Sequence, residues 1–155
     1  MSVQIKNQPY EHTKYQKVFD TYPFELSDFQ KWAIEAIHEK KNVMITAFTG
    51  SGKTLPAEEA IKFYHSIGKK SIYCSPVKAL TNEKYDSFSK KFPEISFGIF
   101  TGDNKDNPEA DCLLMTTEIL ANNLKHIKDE NESSLLDFNM DYNNDLGVVI
   151  FDEFQ

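Results

Sequence analysis

The 155-residue chain is poor in cysteine and has neither a long apolar run nor an excess of positive charge. Its two cysteines, Cys74 and Cys112, each lie in a short apolar run, which is typical of buried reduced thiols rather than of a disulfide framework or a metal site. The four histidines show no spacing typical of metal ligands. No apolar run approaches the ~20 residues of a membrane span, and the N-terminus lacks a signal-peptide core. We therefore expect a soluble, intracellular protein.

The charge balance excludes a broad basic surface for nucleic acid. The chain has 24 acidic and 17 basic residues and a net charge of −7, whereas neutralising a phosphate backbone needs clustered lysine and arginine. Any nucleic-acid contact must therefore be local. Much of the acidity lies in a stretch rich in Asn, Asp and Ser, which predicts a surface insertion over residues 126–146. The length and the 40% hydrophobic content predict one domain of ordinary size.

The octapeptide AFTGSGKT, residues 47–54, follows a short apolar run and has the pattern of a phosphate-binding loop. Gly50 and Gly52 allow backbone N–H groups to turn toward a dense anion at the start of a helix. Lys53 would reach the β- and γ-phosphates, and the Thr54 hydroxyl would ligate Mg²⁺. The alternative is a flexible strand-to-helix turn without a ligand. The predicted nucleotide-binding residues of the loop are Thr49, Gly50, Ser51, Gly52, Lys53 and Thr54.

Short apolar runs alternate with helical patterns along the chain, which predicts an α/β fold with a parallel sheet covered by helices on both faces. Strands are expected at 43–46, 71–75, 96–100, 112–116 and 148–151. Helices are expected at 28–39, 52–66, 82–91 and 118–124. The first of these helices is the clearest, because its apolar side chains recur at helical spacing and Ser27 or Asp28 can cap it.

A second candidate site follows the last apolar run. Val148 to Phe151 delivers Asp152 and Glu153 to the carboxyl edge of the predicted sheet, where ligands bind in open α/β folds. Asp152 would hold Mg²⁺, commonly through water, and Glu153 would orient and deprotonate an attacking water. An Asp-Glu pair alone is also typical of a strand-end turn. Together with the phosphate loop it predicts a site for nucleoside triphosphate hydrolysis, with Lys53, Asp152 and Glu153 as catalytic residues.

Six strings in order resemble the motifs of superfamily 2 DExH-box helicases. They are FELSDFQ at 24–30, AFTGSGKT at 47–54, SPVKALTNEKY at 75–85, TGD at 101–103, MTTEIL at 115–120 and DEFQ at 152–155. The third and fifth strings look like the superkiller-like branch, the RNA helicases that feed the exosome. The resemblance implies a RecA-like P-loop NTPase domain over residues 23–155, with an N-terminal extension over 1–22. It also implies an ATP-dependent RNA helicase that uses ATP and Mg²⁺.

The resemblance implies roles for further residues. Gln30 would read the adenine edge, since a side-chain amide offers both a donor and an acceptor, while the helix pattern alone also allows a solvated residue. The segments after three strands would line the nucleic-acid path at one sheet edge and contact the phosphodiester backbone. The implied nucleic-acid contacts are Pro76, Lys78, Thr81, Thr101, Gly102, Asp103, Thr116, Thr117 and Glu118. Capping of helices by Thr81 and Thr117 is an alternative that is compatible with such contacts.

Two departures from the family pattern bear on function. Gln155 stands where the family usually has His, at a position thought to couple the nucleotide state to the nucleic acid and to the second domain. Helicases of this type also need a second RecA-like domain with arginine fingers, and the first domain usually adds strands and a Ser-Ala-Thr-type motif. We therefore expect an incomplete domain that is nearly inactive alone. The alternatives are a DNA helicase or translocase of the same superfamily and a non-catalytic, truncated nucleotide-binding module.

Overall fold

Five helices and five strands follow one another along the part of the chain that the computed structural model describes, residues 2–48, 50–126 and 144–153. The chain divides into two compact units, residues 1–60 (unit 1) and residues 61–155 (unit 2). None of the helices in the described residues combines the length and the apolar character that a bilayer span requires.

Unit 1 contains helices α1 (Gln16–Phe19) and α2 (Asp28–His38) and the start of α3 (Thr54–Ser66). The start of α2 follows from a capping box, in which the Ser27 side chain and the Gln30 side chain each accept a backbone N–H of the other residue. The predicted helix at 28–39 is thereby confirmed to within one residue at its end. Its apolar face supplies Ile34 to a small core with Phe19 and Leu26.

The segment before α1 is bonded along one face of α2. Tyr10 N donates to Asp28 Oδ1 at 3.1 Å, and the Tyr10 hydroxyl donates to Glu35 Oε1 at 3.2 Å. Between these contacts, Trp32 Nε1 donates to the Gln8 carbonyl oxygen at 2.9 Å. Because the three α2 residues are spaced by helical turns, the segment runs along the helix and restricts its position within unit 1.

The predicted strand at 43–46 is wrong. Residues 43–48 form neither strand nor helix, and the side chains of Met44 and Phe48 are 79% and 78% exposed. The apolar run has the residue composition that is typical of a strand, but a strand also needs a neighbouring strand to complete its backbone hydrogen bonds. Among the described residues no strand pairs with this run.

Unit 2 is built on a sheet of five strands in the order β3-β2-β4-β1-β5. The strands are β1 (Lys70–Ser75), β2 (Phe97–Phe100), β3 (Lys105–Asp106), β4 (Cys112–Thr116) and β5 (Leu146–Phe151). All neighbouring strands are parallel except β2 and β3. The sheet confirms the α/β prediction and four of the five predicted strands. The antiparallel strand β3 is short, polar and exposed, so no apolar run could predict it.

Helices α4 (Lys78–Lys91) and α5 (Thr117–His126) cover opposite faces of this sheet. Tyr73 of β1 packs edge-to-face on Phe88 of α4, with ring centroids 5.2 Å apart. The preceding residue, Ile72, belongs instead to the core that includes Leu120 of α5. Since successive side chains of a strand point to opposite faces, the two helices lie on the two sides of the sheet.

Three helix starts differ from the prediction. The helix predicted at 52–66 begins at Thr54 and ends at Ser66 as predicted. The fourth helix begins at Lys78, with Val77 as its N-cap residue, rather than at residue 82. Thr81 therefore lies inside the helix, where its hydroxyl donates to the Val77 carbonyl oxygen at 3.1 Å, and the prediction that it caps the helix is wrong. The fifth helix begins at Thr117 itself and ends at His126, and β5 begins at Leu146. Most of the predicted insertion at 126–146 lies outside the described residues.

Candidate nucleotide-binding and nucleic-acid sites

In unit 1 the phosphate loop makes a tight turn before α3. The backbone N–H and the hydroxyl of Ser51 both donate to the Phe48 carbonyl oxygen, at 3.2 and 2.6 Å. Gly50 and Gly52 have φ angles of 84° and 86°, in the left-handed region that glycine adopts without strain. A helix N-terminus follows directly, so the loop has the two features that favour bound phosphate, a glycine turn and unpaired helical N–H groups. Thr49 lies outside the described residues.

Gln30 joins the start of α2 to the phosphate loop. Its Oε1 accepts the backbone N–H of Ser27 at 2.9 Å, and its Nε2 donates to the Gly52 carbonyl oxygen at 3.1 Å. The residue is 6% exposed, which excludes the alternative of a solvated side chain. A Cβ atom added at Gly52 would lie 2.5 Å from Gln30 Nε2, so a larger residue there would displace the Gln30 amide from this position. Each amide atom still has one hydrogen-bonding position free for a base edge.

A buried carboxylate on α3 was not predicted. Glu59 is 5% exposed and accepts a hydrogen bond from the Tyr22 hydroxyl, while His38 Nε2 lies 3.1 Å from its Oε1. Burial and the bond to Glu59 raise the pKa of Tyr22 above its ordinary value. These contacts tie α3, which follows the phosphate loop, to α2 and to the segment before it. Nothing in the local pattern marks Glu59, because its partners are 21 and 37 residues away.

In unit 2 the carboxyl ends of β1, β2, β4 and β5 lie at one edge of the sheet, because these four strands are parallel. The predicted nucleic-acid segments follow β1, β2 and β4. The pair of acids, Asp152 and Glu153, follows β5. The prediction that one sheet edge gathers the three segments is therefore confirmed. Such an edge is where open α/β sheets bind their ligands.

The predicted contact residues at this edge differ in exposure. The exposed ones are Pro76, Lys78, Gly102, Asp103, Thr117 and Glu118. Thr81, Thr101 and Thr116 are buried, at 0%, 8% and 8% exposed. The Thr101 hydroxyl accepts the backbone N–H of Asn104 at 3.1 Å, and so holds the turn that carries Gly102 and Asp103. The three buried threonines thus shape the edge, and the exposed residues are the ones that a ligand can reach.

Lys78 and Asp103 form an ion pair across this edge. Lys78 Nζ donates to Asp103 Oδ2, and their side chains are 50% and 77% exposed. Lys78 is the first residue of α4, where a positive charge meets the positive end of the helix dipole, so the carboxylate offsets an unfavourable position. As an exposed pair it stabilises the fold by only about 0 to 1 kcal/mol. The lysine can therefore exchange this partner for another anion at small cost.

The acid pair follows directly on β5. The Asp152 backbone N–H donates to the Cys74 carbonyl oxygen at 2.9 Å, which extends the β1–β5 ladder by one bond. Its Oδ2 accepts the Tyr73 hydroxyl at 2.5 Å, and its Oδ1 accepts the Glu153 N–H at 2.9 Å. Glu153 has a φ of 54°, which turns the chain at this point, and it is exposed. Sequence reasoning missed Tyr73, because nothing in the local sequence of β1 indicates that its hydroxyl meets a carboxylate 79 residues away.

The carboxylate of Asp152 suits a Mg²⁺ ion that is also bound by phosphates. It does not suit a site in which protein side chains supply every ligand. The described residues contain no group of three or more His, Cys, Asp and Glu that could hold a metal. Each carboxylate oxygen of Asp152 keeps one lone pair beyond its protein hydrogen bond. Mg²⁺ commonly binds one or two carboxylates together with substrate phosphates and several waters. The Asp152 carboxylate is suited to be one of these ligands.

The two cysteines are free and buried, as predicted. Cys74 lies in β1 and Cys112 in β4. Burial raises the pKa of each thiol to about 12. Both thiols are therefore protonated and unreactive near neutral pH, and neither takes part in the sites described above.

Comparison with known proteins agrees with this geometry. The profile of the DEAD/DEAH box helicase family matches residues 27–155. The antiviral helicase SKI2 of Saccharomyces cerevisiae is 41% identical over 133 residues, which cover 86% of this chain and 9% of that protein. The exosome RNA helicase MTR4 of Homo sapiens is 42% identical over 104 residues, which cover 67% of this chain and 10% of that protein. The chain thus spans about a tenth of the relatives it matches.

The family assignment rests on two concordant observations: a profile that matches most of the chain, and relatives at about 40% identity over two thirds of the chain or more. The similarity to SKI2 and MTR4 supports the superkiller-like DExH branch. The chain belongs to the DEAD/DEAH box helicase family.

Proposed function

We propose that this chain is the nucleotide-binding part of the first RecA-like domain, residues 23–155, of an ATP-dependent RNA helicase. The observation that carries the proposal is the phosphate loop, in which two left-handed glycines precede the N-terminus of α3. Gln30, which is already bonded to Gly52 of that loop, supports adenine as the preferred base, because its amide matches the donor and acceptor on the adenine edge.

The proposed roles of the nucleotide-binding residues follow from their chemistry. Gly50 to Gly52 supply backbone N–H groups to the phosphates, and Lys53 places a point charge near the β- and γ-phosphates. Thr54 offers a hydroxyl, and Asp152 a carboxylate, to Mg²⁺ and its waters. When bound, Mg²⁺ neutralises charge that develops on the phosphates during hydrolysis. Glu153 is exposed and at a turn, which suits a general base that must meet a water molecule.

RNA is the proposed nucleic acid, and the exposed residues of the sheet edge in unit 2 are its proposed contacts. Lys78 and the Thr117 hydroxyl suit backbone phosphates and sugars rather than base edges, and the carboxylates of Asp103 and Glu118 can accept hydrogen bonds from ribose hydroxyls. The relatives named as RNA helicases favour RNA over DNA. Binding of matched RNA and DNA single strands to the chain at low salt tests this choice. A clear preference for the DNA strand would favour the alternative of a DNA helicase or translocase.

Hydrolysis by the chain alone should stay near background. All 17 basic residues of the sequence are lysines, so the chain has no arginine to serve as an arginine finger. Such a finger is worth roughly 10³ to 10⁵ in rate. Phosphate release should therefore remain slow even with saturating RNA. RNA-stimulated turnover of several per second would contradict this expectation, because it would show that fast hydrolysis needs no arginine finger from outside the chain.

The experiment that tests the proposed function is a pair of titrations on the chain. ATP binding in the presence of Mg²⁺ should depend on Lys53, and the chain should bind single-stranded RNA with an affinity that Lys78→Ala lowers by a small factor. A chain that binds ATP but no RNA would favour the non-catalytic nucleotide-binding module. A chain that binds neither would contradict the proposal.

A further inference from the structure

Tyr73 is a buried tyrosine whose hydroxyl reaches the acid pair. It lies in β1, opposite Ile150 of the parallel strand β5, and it is fully buried. Asp152 is two residues beyond Ile150 and therefore lies on the same face of the sheet as Tyr73. The Tyr73 hydroxyl donates to Asp152 Oδ2 at 2.5 Å. The strand register thus aims a rigid donor at one specific carboxylate.

The hydroxyl of Tyr73 is fixed by packing rather than by the carboxylate alone. Its ring meets Phe88 of α4 edge-to-face, with centroids 5.2 Å apart and planes at 84°. Phe88 is itself 1% exposed, so the ring has little freedom to turn. The second oxygen of Asp152 is held by the Glu153 N–H at 2.9 Å. One donor from the interior and one from the backbone therefore define the orientation of the carboxylate.

We propose that Tyr73 is a positioning residue that holds the Asp152 carboxylate in the orientation needed for a divalent cation or its bound water. The inference rests on the proposed role of Asp152 in the Mg²⁺ site. A carboxylate that is fixed on both oxygens keeps one lone pair on each in a defined direction. Hydrogen-bond partners that orient a metal ligand in this way typically contribute 10- to 100-fold to metal affinity or activity.

A purely structural role for the same hydrogen bond makes a different prediction. If the bond only satisfies a buried hydroxyl, its removal changes the stability of the sheet and leaves metal binding intact. If the bond positions Asp152, its removal also weakens binding of the cation. Tyr73→Phe separates these roles, because it keeps the ring and its contact with Phe88 and deletes only the hydroxyl.

Tyr85 provides a matched control. Its hydroxyl donates to Asp106 Oδ2 at 2.7 Å, so it too forms a tyrosine–aspartate bond in unit 2. Asp106 lies in β3, away from the acid pair in the sheet order. Tyr85→Phe therefore deletes the same kind of hydrogen bond without touching Asp152.

The experiment measures how much a divalent cation strengthens ATP binding to the 155-residue chain. ATP affinity is compared with Mg²⁺ and with EDTA, and Mn²⁺ binding in the presence of ATP is followed by electron paramagnetic resonance. Tyr73→Phe should reduce the gain from Mg²⁺ and the Mn²⁺ affinity by roughly tenfold. Tyr85→Phe should match the unmodified chain in both measurements. Thermal unfolding midpoints establish that both variants are folded.

Asp152→Asn separates failure of the inference from failure of the proposed function. If the cation gives no gain in ATP affinity, or if Asp152→Asn leaves the gain unchanged, the proposed role of Asp152 is wrong and the inference falls with it. If Asp152→Asn abolishes the gain while Tyr73→Phe retains it in full, the proposed function stands and the positioning role of Tyr73 is overturned.

Discussion

The two units use similar apolar runs in opposite ways. In unit 2, β1 and β4 are nearly continuous runs of buried residues, each paired on both sides by parallel neighbours. In unit 1 the run at 43–46 is no more polar, yet it forms no strand and leaves Met44 79% exposed. The difference shows that an apolar run becomes a strand only where a neighbour completes its backbone hydrogen bonds.

The largest effect should come from paired truncations in these two runs. Leu113→Ala removes a fully buried side chain from β4 and should lower the free energy of unfolding by about 2 to 5 kcal/mol. Met44→Ala removes an exposed side chain and should cost less than about 0.5 kcal/mol. Urea denaturation followed by circular dichroism measures both. Equal losses would mean that residues 43–46 are buried as the sequence predicts and would remove the contrast between the units.

A second test concerns the chemistry of unit 1 rather than its packing. Lys53→Ala should weaken ATP binding by about 1.5 to 3 kcal/mol, because it deletes a charge-assisted contact to phosphate. Isothermal titration calorimetry measures the change. Lys17→Ala, at an exposed position in the last turn of α1, serves as the control for a lost positive charge. If both variants bound ATP as tightly as the unmodified chain, the loop would not be a phosphate site.

Alkaline pH should weaken both units, unit 1 through its tyrosines and unit 2 chiefly through the buried thiols of Cys74 and Cys112, whose pKa is raised to about 12. The pKa of Tyr10 and of Tyr22 is raised in unit 1, chiefly by burial, whereas in unit 2 the pKa of Tyr85 is raised chiefly by its hydrogen bond to Asp106. A raised tyrosine pKa means that the folded state holds the proton more tightly than the unfolded state. The stability is therefore complete below the ordinary tyrosine pKa of about 10 and is lost as the pH rises above it.

The measurement for this prediction is urea denaturation at pH 8 and at pH 10.5 with and without Tyr22→Phe. That substitution deletes the hydrogen bond to Glu59 and should cost about 1 to 2 kcal/mol at pH 8. It should also reduce the loss of stability between the two pH values. A pH dependence that Tyr22→Phe leaves unchanged would show that this tyrosine does not control the alkaline transition.

The smallest effects should come from the ion pair at the sheet edge of unit 2. Lys78→Ala should weaken RNA binding by a small factor that is similar for unrelated sequences, because one phosphate contact carries no sequence information. Asp103→Asn should strengthen RNA binding, since it removes the anion that competes with phosphate for Lys78. Both are measured by fluorescence anisotropy at several salt concentrations.

Asp86→Asn is the matched control for Asp103→Asn. Asp86 also forms an exposed ion pair with a lysine of α4, Lys90, at 3.0 Å. Its replacement removes the same charge at a position about two helical turns beyond Lys78 and should leave RNA binding nearly unchanged. Equal gains from the two substitutions would point to the overall acidity of the chain. A loss confined to one RNA sequence in Lys78→Ala would point to base recognition.

The sequence predicts the sheet of unit 2 well, because buried parallel strands appear as short apolar runs between helices. The strand Cys112–Thr116 is found with the predicted bounds, and the Ser27 cap of α2 is confirmed. The predicted gathering of strand ends also follows from topology alone, since parallel strands share one carboxyl edge. These features can be predicted because they depend only on local composition and on the fact that parallel strands end at the same edge of a sheet.

The missed features all depend on contacts between distant parts of the chain. Tyr73 meets Asp152 across 79 positions, and Tyr22 meets Glu59 across 37. Their pairing requires the strand register and helix positions, which no local pattern contains. Thr81 was mispredicted for a related reason. A threonine before a polar helical stretch fits a cap, but the helix had already begun at Lys78. The roles of individual site residues, Gln30 among them, stay predictions.

The buried thiols of the sheet have a consequence for kinetic measurements. Cys74 and Cys112 belong to β1 and β4, strands that have neighbours on both sides, and both are 0% exposed. Because only a solvent-exposed, ionised thiol reacts quickly, a thiol reagent modifies these residues only after an opening of the structure uncovers the faces of the sheet on which they lie. At reagent concentrations high enough that the modification rate no longer depends on them, that rate reports how often this core opens in the unaltered chain, with no added label and no engineered cysteine.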